Sequence, residues 1–208
     1  MTDELITRVL ARASDAATIH DYTKYWTAVP KIYSPATPEQ IASTQAAIGF
    51  ELPQLLKEIL VKIGNGGFGP GYGLIGVEGG YADFKGEHLA ELGEELGALE
   101  RKILPVCNWG CGIYSCVDCA KDEAAVFIFN PQTSALAPEN IVSVAITSPS
   151  GETTKVYERK PRAPRPAIVT PKELALTLHK RSFAEFMSDW ANGLSLWDQM
   201  EPLFSPPQ

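Results

Sequence analysis

The sequence predicts a single α+β domain whose sheet is largely antiparallel or mixed, with helices before it and a closing helix after it. Helical patterns occupy both ends of the chain, and strand patterns occupy its middle. The segments between those strands are too short for parallel crossovers, which need about a dozen or more residues. The chain has 208 residues, of which 45% are hydrophobic and 21% are charged, as expected of one globular domain.

The N-terminal part is predicted to be helical. Apolar residues recur at helical spacing over residues 3–13, and a weaker pattern suggests a second short helix over residues 19–26. The next helix has explicit signals at both ends. Thr37 suits the N-cap and Gln40 completes a capping box, while Gly49 favours a left-handed C-cap.

A further amphipathic helix follows and ends at Gly64. Its apolar residues recur every three or four positions, at Leu55, Leu56, Ile59, Leu60 and Ile63. Residues 64–80, the glycine-rich loop, contain nine glycines and one proline, and 73–77 is predicted as a short strand. Residues 71–76 fit the spacing G-x-G-x-x-G, but a glycine loop precedes them and no helix opens directly after them, so nucleotide binding is not predicted.

The middle of the chain is predicted to form the sheet. A helical pattern over residues 87–100, weakened by two glycines, precedes it. Strand patterns follow at 103–107, 113–118 and 125–129. The sequence NWGCG at 108–112 predicts a turn that joins the first two strands in a hairpin.

The remaining elements are a second hairpin and a closing helix. The hairpin is predicted to pair 141–146 with 153–158, and the Pro-rich basic segment 160–171 is predicted to be an extended linker. Ser182 suits the N-cap of the closing helix, with Glu185 completing a capping box. Six residues on helical stripes are expected in the main core: Leu56, Ile59, Ile63, Phe183, Phe186 and Trp190.

Acidic residues are concentrated before and within the predicted helix 87–100. Residues 76–100 contain seven acidic residues and one lysine. Four of them are expected on one exposed helix face, namely Glu87, Glu91, Glu94 and Glu95. The simpler interpretation is a solvated face. The functional interpretation is a docking surface for a basic partner, to which we add Asp118.

Four cysteines lie within 13 residues, at Cys107, Cys111, Cys116 and Cys119. Reduced, mostly buried thiols, a zinc site and one disulfide are the three alternatives. Reduced thiols are favoured, because Cys116 and Cys119 are three apart and would point to opposite faces of an extended strand. We therefore predict that the cluster is structural and binds no metal, and no cofactor is expected.

Composition and motifs also exclude several classes of function. The net charge of −7 argues against general binding to nucleic acid or to anionic lipid. No apolar run reaches the roughly 18 to 20 residues of a membrane span, and the N-terminus lacks the apolar core of a secretory signal, so a cytoplasmic protein is expected. No hydrolase, nucleotide-binding or metalloprotease motif is present, and we expect no enzyme.

Several segments occur in the order found in a known family. They are TPEQI at 37–41, IGFELP at 48–53, LKEIL at 56–60, NGGF at 65–68, LP at 104–105, WGCGI at 109–113, the strand at 126–129 before Asn130-Pro131, and SFAEF at 182–186 before Trp190. No single segment is specific. Their ordered occurrence over residues 34–193 resembles the Smi/Knr-type proteins of the SUKH superfamily.

The resemblance implies a fold and a class of function. The family fold has two N-terminal helices, a Gly-Gly turn into a mixed sheet and a closing helix rich in aromatic residues. Its members are mostly bacterial immunity proteins that neutralise polymorphic toxins, often nucleases, and they include a fungal regulator of the cell wall and signalling. None of the matched motifs is catalytic in the family.

We therefore expect a non-enzymatic binding module that neutralises a cognate, basic toxin. A regulatory or scaffold protein contacting endogenous proteins is the alternative, and an enzyme using the cysteine cluster and a metal is the third possibility. The expected organisation is a helical extension at 1–33, a SUKH-like domain at 34–193 with an insertion at about 145–170, and a tail at 194–208. Partner contacts are expected at Glu87, Glu91, Glu94, Glu95 and Asp118.

Overall fold

Helices come first, strands in the middle and helices last, as the sequence predicts. The computed structural model describes residues 2–22, 31–131, 141–147, 153–159 and 176–204. The helices are α1 (Thr2–Ala13), α2 (Pro38–Ile48), α3 (Gln54–Lys62), α4 (Leu89–Glu95), α5 (Phe183–Ala191) and α6 (Leu196–Phe204). The strands are β1 (Ile103–Gly110), β2 (Ile113–Asp118), β3 (Val126–Phe129), β4 (Ile141–Thr147), β5 (Thr153–Arg159) and β6 (Leu176–Lys180).

The main sheet has the strand order β1–β2–β3–β6, and each strand is antiparallel to its neighbours. Strands β4 and β5 form a separate antiparallel hairpin, as predicted. The turn between β1 and β2 consists of Cys111 and Gly112, with φ angles of 53° and 77°. Positive φ at both central residues matches the twist of a two-residue hairpin. The α+β class with an antiparallel sheet is therefore confirmed.

The predicted capping residues act at the predicted helix ends. The Thr37 hydroxyl accepts a hydrogen bond from the Gln40 N–H at 3.2 Å, and Gln40 Oε1 accepts one from the Thr37 N–H at 2.8 Å. At α5 the Ser182 hydroxyl accepts from the Glu185 N–H at 3.1 Å, but the Glu185 carboxylate accepts from the N–H of Arg181. The capping box of α2 is thus complete. At α5 only the Ser182 half of the predicted box forms, because the Glu185 carboxylate bonds to the residue before the N-cap.

The structure corrects two of the predicted elements. Residues 73–77, predicted as a strand, are irregular except for an isolated bridge between Leu74 and Cys107. Helix α4 is shorter than the predicted helix 87–100, because Gly97 has a φ angle of 61°. That backbone conformation cannot continue a right-handed helix.

Two elements have no counterpart in the sequence-based prediction, β6 and α6. Helix α6 lies within the segment 194–208 that the prediction assigns to a tail, yet its Leu196 and Met200 are fully buried. None of the helices in the described ranges combines the length and the apolar composition that crossing a bilayer requires.

Two predictions extend beyond the described residues. The weak helix predicted at 19–26 is not formed at 19–22, where the backbone makes turns and a single bridge. Residues 23–26 lie outside the described ranges. The linker predicted at 160–171 lies outside them as well.

One hydrophobic core joins the helices to the main sheet. The six core residues predicted from sequence are all buried, namely Leu56, Ile59, Ile63, Phe183, Phe186 and Trp190. Helix α1 packs against α5, and its Leu5, Ile6 and Val9 are buried, whereas Leu10 of the same helix is exposed. The N-terminal helix therefore contributes to the common core.

The buried amide of Asn65 holds the glycine-rich loop in place. Its Oδ1 accepts from the Val77 N–H at 2.8 Å, and its Nδ2 donates to the Val77 carbonyl at 3.2 Å. Its backbone carbonyl accepts from the Tyr81 N–H at 2.8 Å. A Cβ at Gly76 would lie 2.4 Å from that same carbonyl oxygen, so this position requires glycine. The Gly76 carbonyl accepts from the Leu89 N–H at 3.1 Å, which fixes the start of α4.

Truncation of Phe186 to alanine tests the position of α5 in the core. The Phe186 ring is fully buried, so Phe186→Ala should lower the free energy of unfolding by about 3–5 kcal/mol. Urea denaturation followed by tryptophan fluorescence measures this loss. Leu178→Ala is the control, because Leu178 is 52% exposed and its truncation should cost about 0.5 kcal/mol or less. Equal losses for the two variants would place α5 outside the core.

A pair of glycine substitutions separates backbone strain from crowding in the glycine-rich loop. Gly49 and Gly66 have similar φ angles of 80° and 83°, but a Cβ at Gly49 meets nothing within 4 Å, whereas one at Gly66 would lie 2.4 Å from the Leu74 carbonyl oxygen. Gly49→Ala should cost about 1 kcal/mol through its left-handed conformation alone. Gly66→Ala should cost clearly more in the same urea denaturation. Similar costs would mean that the loop is not packed as described.

Candidate functional site

A buried carboxylate fastens the loop before α4 to the sheet. Asp83 is 8% exposed, and its Oδ1 accepts from the N–H groups of Lys85 and Glu87 at 2.8 and 3.1 Å. Its Oδ2 accepts from the Tyr114 hydroxyl of β2 at 3.1 Å. Burial raises the pKa of Tyr114, and the negative charge of Asp83 raises it further. The phenol therefore stays protonated and holds the loop 83–87 against the sheet.

The structure places the four predicted glutamates in different environments. Glu87 precedes α4 and is half-buried, which corrects its predicted place on an exposed helix face. Glu91 is exposed, and its carboxylate accepts from the His88 N–H at 3.0 Å, so it also caps the helix. Glu94 is exposed on α4. Glu95 is exposed at the end of α4 and pairs with Lys85.

Glu87 and Glu95 form a carboxyl pair. The hydrogen-bonded carboxyl of Glu95 raises the pKa of Glu87 to about 7, and burial adds to the rise, while Lys85 opposes it. Glu87 Oε2 is buried and has no hydrogen-bond partner. Lys85 thus lies beside both carboxyl groups, and the pair takes up a proton near neutral pH.

Asp118 is not part of this arrangement. It lies at the end of β2, paired with Ile103, and its Oδ1 accepts from the Ala120 N–H at 2.9 Å. The structure therefore brings Glu87 and Glu95 together, places Glu91 and Glu94 on the adjacent helix, and uses the Asp118 carboxylate in a turn.

A band of aromatic rings includes a residue from the loop before α4, and sequence reasoning does not predict it. We call these rings the aromatic band: Phe84, Tyr72, Tyr22, Trp109 and Trp197. Successive ring centroids are 4.7, 4.4, 6.3 and 6.0 Å apart. Phe84 is 50% exposed and belongs to the same loop as Glu87. The rings come from five distant parts of the sequence, so no local pattern could have indicated the band.

The cysteines are distributed along the β1–β2 hairpin. Cys107 and Cys116 are buried in the strands, Cys111 is exposed in the turn, and Cys119 follows β2. Cys111 and Cys119 flank opposite ends of the six-residue strand β2, which separates them by roughly 20 Å. Four zinc ligands must each lie about 2.3 Å from the metal, so this hairpin cannot gather all four sulfurs. Burial raises the pKa of Cys107 to about 12, which keeps its thiol protonated.

The raised pKa of Glu87 makes stability depend on pH. Between its ordinary pKa of 4.5 and about 7, the folded chain binds more protons at this carboxyl than the unfolded chain does. This contribution is therefore complete below pH 4.5 and is lost as the pH rises through 7. Glu87→Gln is neutral at every pH, so the loss of stability between pH 5 and pH 8 should be smaller in this variant than in the wild type.

Urea denaturation at pH 5, 6.5 and 8 measures this difference. Glu94→Gln is the matched control, because it removes an exposed carboxylate from the neighbouring helix and should keep the pH profile of the wild type. Identical pH profiles for the wild type and Glu87→Gln would show that the two carboxyl groups do not interact.

Comparison with known proteins supplies the family. A sequence model of the SMI1 / KNR4 family (SUKH-1) matches residues 35–150, from the residues just before the N-cap of α2 to beyond β4. The matched span covers more than half of the chain and includes the capping box, the glycine-rich loop, α4 and three strands of the main sheet. Neither curated proteins nor solved structures gave a match. The chain therefore belongs to the SMI1 / KNR4 family (SUKH-1), and the resemblance noted in the sequence is confirmed.

Proposed function

We propose that this protein is a non-enzymatic immunity protein that neutralises a cognate bacterial toxin by binding it directly. Membership of the SMI1 / KNR4 family supports a role in protein–protein interaction. The family also includes cell-wall regulators, so family membership alone does not select a toxin as the partner. The acidic surface described above is the observation that favours a toxin. The proposal includes a cytoplasmic location, where the four thiols would stay reduced.

The observation that carries the proposal is the carboxyl pair of Glu87 and Glu95 on a rigid base. The carboxyl groups of Glu87 and Glu95 lie close together, and the exposed Glu91 and Glu94 extend the acidic surface along α4. The contact between Asp83 and Tyr114 fixes the loop below this charge. A surface that is charged and already ordered loses little conformational entropy when it binds.

A toxin that attacks nucleic acid supplies the complementary charge. Such a toxin must be basic where it contacts phosphate groups. Carboxylates on the immunity protein would occupy or cover that basic surface, and long-range attraction would raise the rate of association at low salt. We include Asp118 as an outlying contact of the same partner.

Charge substitutions that keep the local contacts test this surface. The variant combines Glu91→Gln, Glu94→Lys and Glu95→Gln, because glutamine retains an oxygen for the His88 N–H and for Lys85. The probe is the product of a neighbouring gene that encodes a toxin domain, since the proposal predicts such a gene beside this one. We expect the association rate at 50 mM NaCl to fall roughly tenfold, and its dependence on salt to flatten, in biolayer interferometry between 50 and 300 mM NaCl.

The matched control makes the same change in net charge elsewhere. It combines Glu4→Gln, Glu39→Gln and Glu123→Lys, all at exposed positions, and should associate at the wild-type rate. If the α4 variant associates normally and still protects cells from the toxin, the acidic helix is only a solvated face. If the wild type neither binds the toxin nor protects cells, the alternative of a regulatory or scaffold protein replaces the proposal.

A further inference from the structure

We propose that Asn192 is a site of spontaneous deamidation, and that the aspartate formed there pairs with Arg8. The site lies at the end of α5, where that helix meets α1. Deamidation needs no partner protein, so this inference does not depend on the proposed function. It would replace a hydrogen bond to a neutral amide with an ion pair between the two helices.

The reaction is fastest where glycine follows asparagine. The backbone nitrogen of the glycine loses its proton and forms a bond to the side-chain carbon Cγ, while the side-chain nitrogen takes up a proton and leaves as ammonia. Water then opens the five-membered imide at either carbonyl, which gives aspartate or isoaspartate. Glycine favours this ring closure because it has no Cβ to hinder the nitrogen and is conformationally free. The chain has this dipeptide twice, at Asn65–Gly66 and at Asn192–Gly193.

The two dipeptides differ in how firmly the asparagine side chain is held. Asn65 is 1% exposed, and both polar atoms of its amide bond to the backbone of residues 77–78. Asn192 is exposed. Its Oδ1 accepts from Arg8 at 2.7 Å, and its Nδ2 makes no hydrogen bond within the part of the chain that the structure describes. The nitrogen that leaves as ammonia is therefore held at position 65 and free at position 192.

The backbone at Asn192 also lies where a helix can open. The Gly193 N–H donates to the Trp190 carbonyl at 2.9 Å, so its nitrogen reacts only when this last hydrogen bond breaks. Helix ends open locally at a much lower free energy than the core does, and both Gly193 and Leu194 are exposed. The corresponding reaction at Asn65 would break the hydrogen bonds that hold the glycine-rich loop. We therefore expect deamidation at Asn192 in the folded chain and protection of Asn65.

Arg8 gives the product a partner. Its guanidinium donates to Asn192 Oδ1 at 2.7 Å and to Ser188 Oγ at 3.4 Å, and it forms no ion pair with the residues that the structure describes. The same N–H would donate to a carboxylate at position 192, and hydrogen bonds between two charged groups are the stronger kind. A negative charge at the end of α5 opposes the helix dipole, so the guanidinium offsets that cost.

Incubation of the full chain tests the reaction against an internal control. The protein is kept at 37 °C and pH 8, either folded in buffer or unfolded in guanidinium chloride, and its tryptic peptides are followed by liquid chromatography and mass spectrometry. The unfolded chain should deamidate at Asn65 and Asn192 at similar rates, because the dipeptides are the same. The folded chain should deamidate at least about tenfold faster at Asn192 than at Asn65. Equal rates at the two positions in the folded chain, or an Asn192 that stays intact, would overturn the inference.

A double-mutant cycle tests the ion pair. Asn192→Asp reproduces the aspartate product, and Arg8→Met removes the guanidinium but keeps a long side chain. In urea denaturation at pH 7 and 50 mM NaCl, Asn192→Asp should lower the folding equilibrium constant roughly two- to fivefold less with Arg8 present than with methionine at position 8. Arg181→Met is the matched control, because it removes an equal charge from an exposed position just before α5 and should show no such coupling. The same effect of Asn192→Asp with and without Arg8 would refute the pairing.

Discussion

The hydrogen bonds of the buried Asn65 amide are the interaction on which the candidate functional surface depends. Both ends of this amide bond to the backbone of residues 77–78, and its backbone carbonyl bonds to Tyr81. These contacts replace the ladder of hydrogen bonds that a regular strand would give to the glycine-rich loop. The loop then presents the Gly76 carbonyl to the first turn of α4. A side chain near the start of the glycine-rich loop thus helps to determine where α4 begins.

The acidic residues of this surface differ in whether their protonation can change near neutral pH. Asp83 is buried and fully used by hydrogen bonds from the loop and from Tyr114, so its charge serves the fold. Glu87 and Glu95 are close enough that one of them is protonated near neutral pH. An incoming cation would favour the fully ionised pair, because it offsets the repulsion between the two carboxylates. Binding of a basic partner would therefore be coupled to proton release at this surface.

Local signals in the sequence predict much of the fold, and the contacts between distant segments account for what they miss. The capping box at Thr37 requires only neighbouring residues and forms where predicted. The turn also forms within the predicted residues 108–112, but only Cys111 and Gly112 make it, because β1 extends to Gly110. The helix predicted at 87–100 is longer than the observed α4. Its leucine spacing continues past Gly97, but the left-handed backbone of Gly97 prevents the helix from continuing. Strand β6 is a strand because β3 pairs with it, and its own residues give no strong strand signal.

The candidate site was predictable only in part. The acidic residues are visible as a local excess of charge, but the half-buried state of Glu87 depends on Asp83 and Tyr114, which come from separate elements. The aromatic band depends on rings from residues 22, 72, 84, 109 and 197. Their meeting is a product of the fold alone, and an interaction surface of this kind has no linear motif.

The packing of α1 against α5 has a consequence for how the protein is made. Arg8 donates to Asn192, which is 184 positions away, at 2.7 Å, and the apolar face of α1 is buried near the same helix. On the ribosome α1 emerges well before α5, the helix that covers it. The buried leucine, isoleucine and valine side chains of α1 therefore stay open to water, or to chaperones, until α5 has been synthesised. Docking of α1 onto α5 is thus a late step in the folding of these residues.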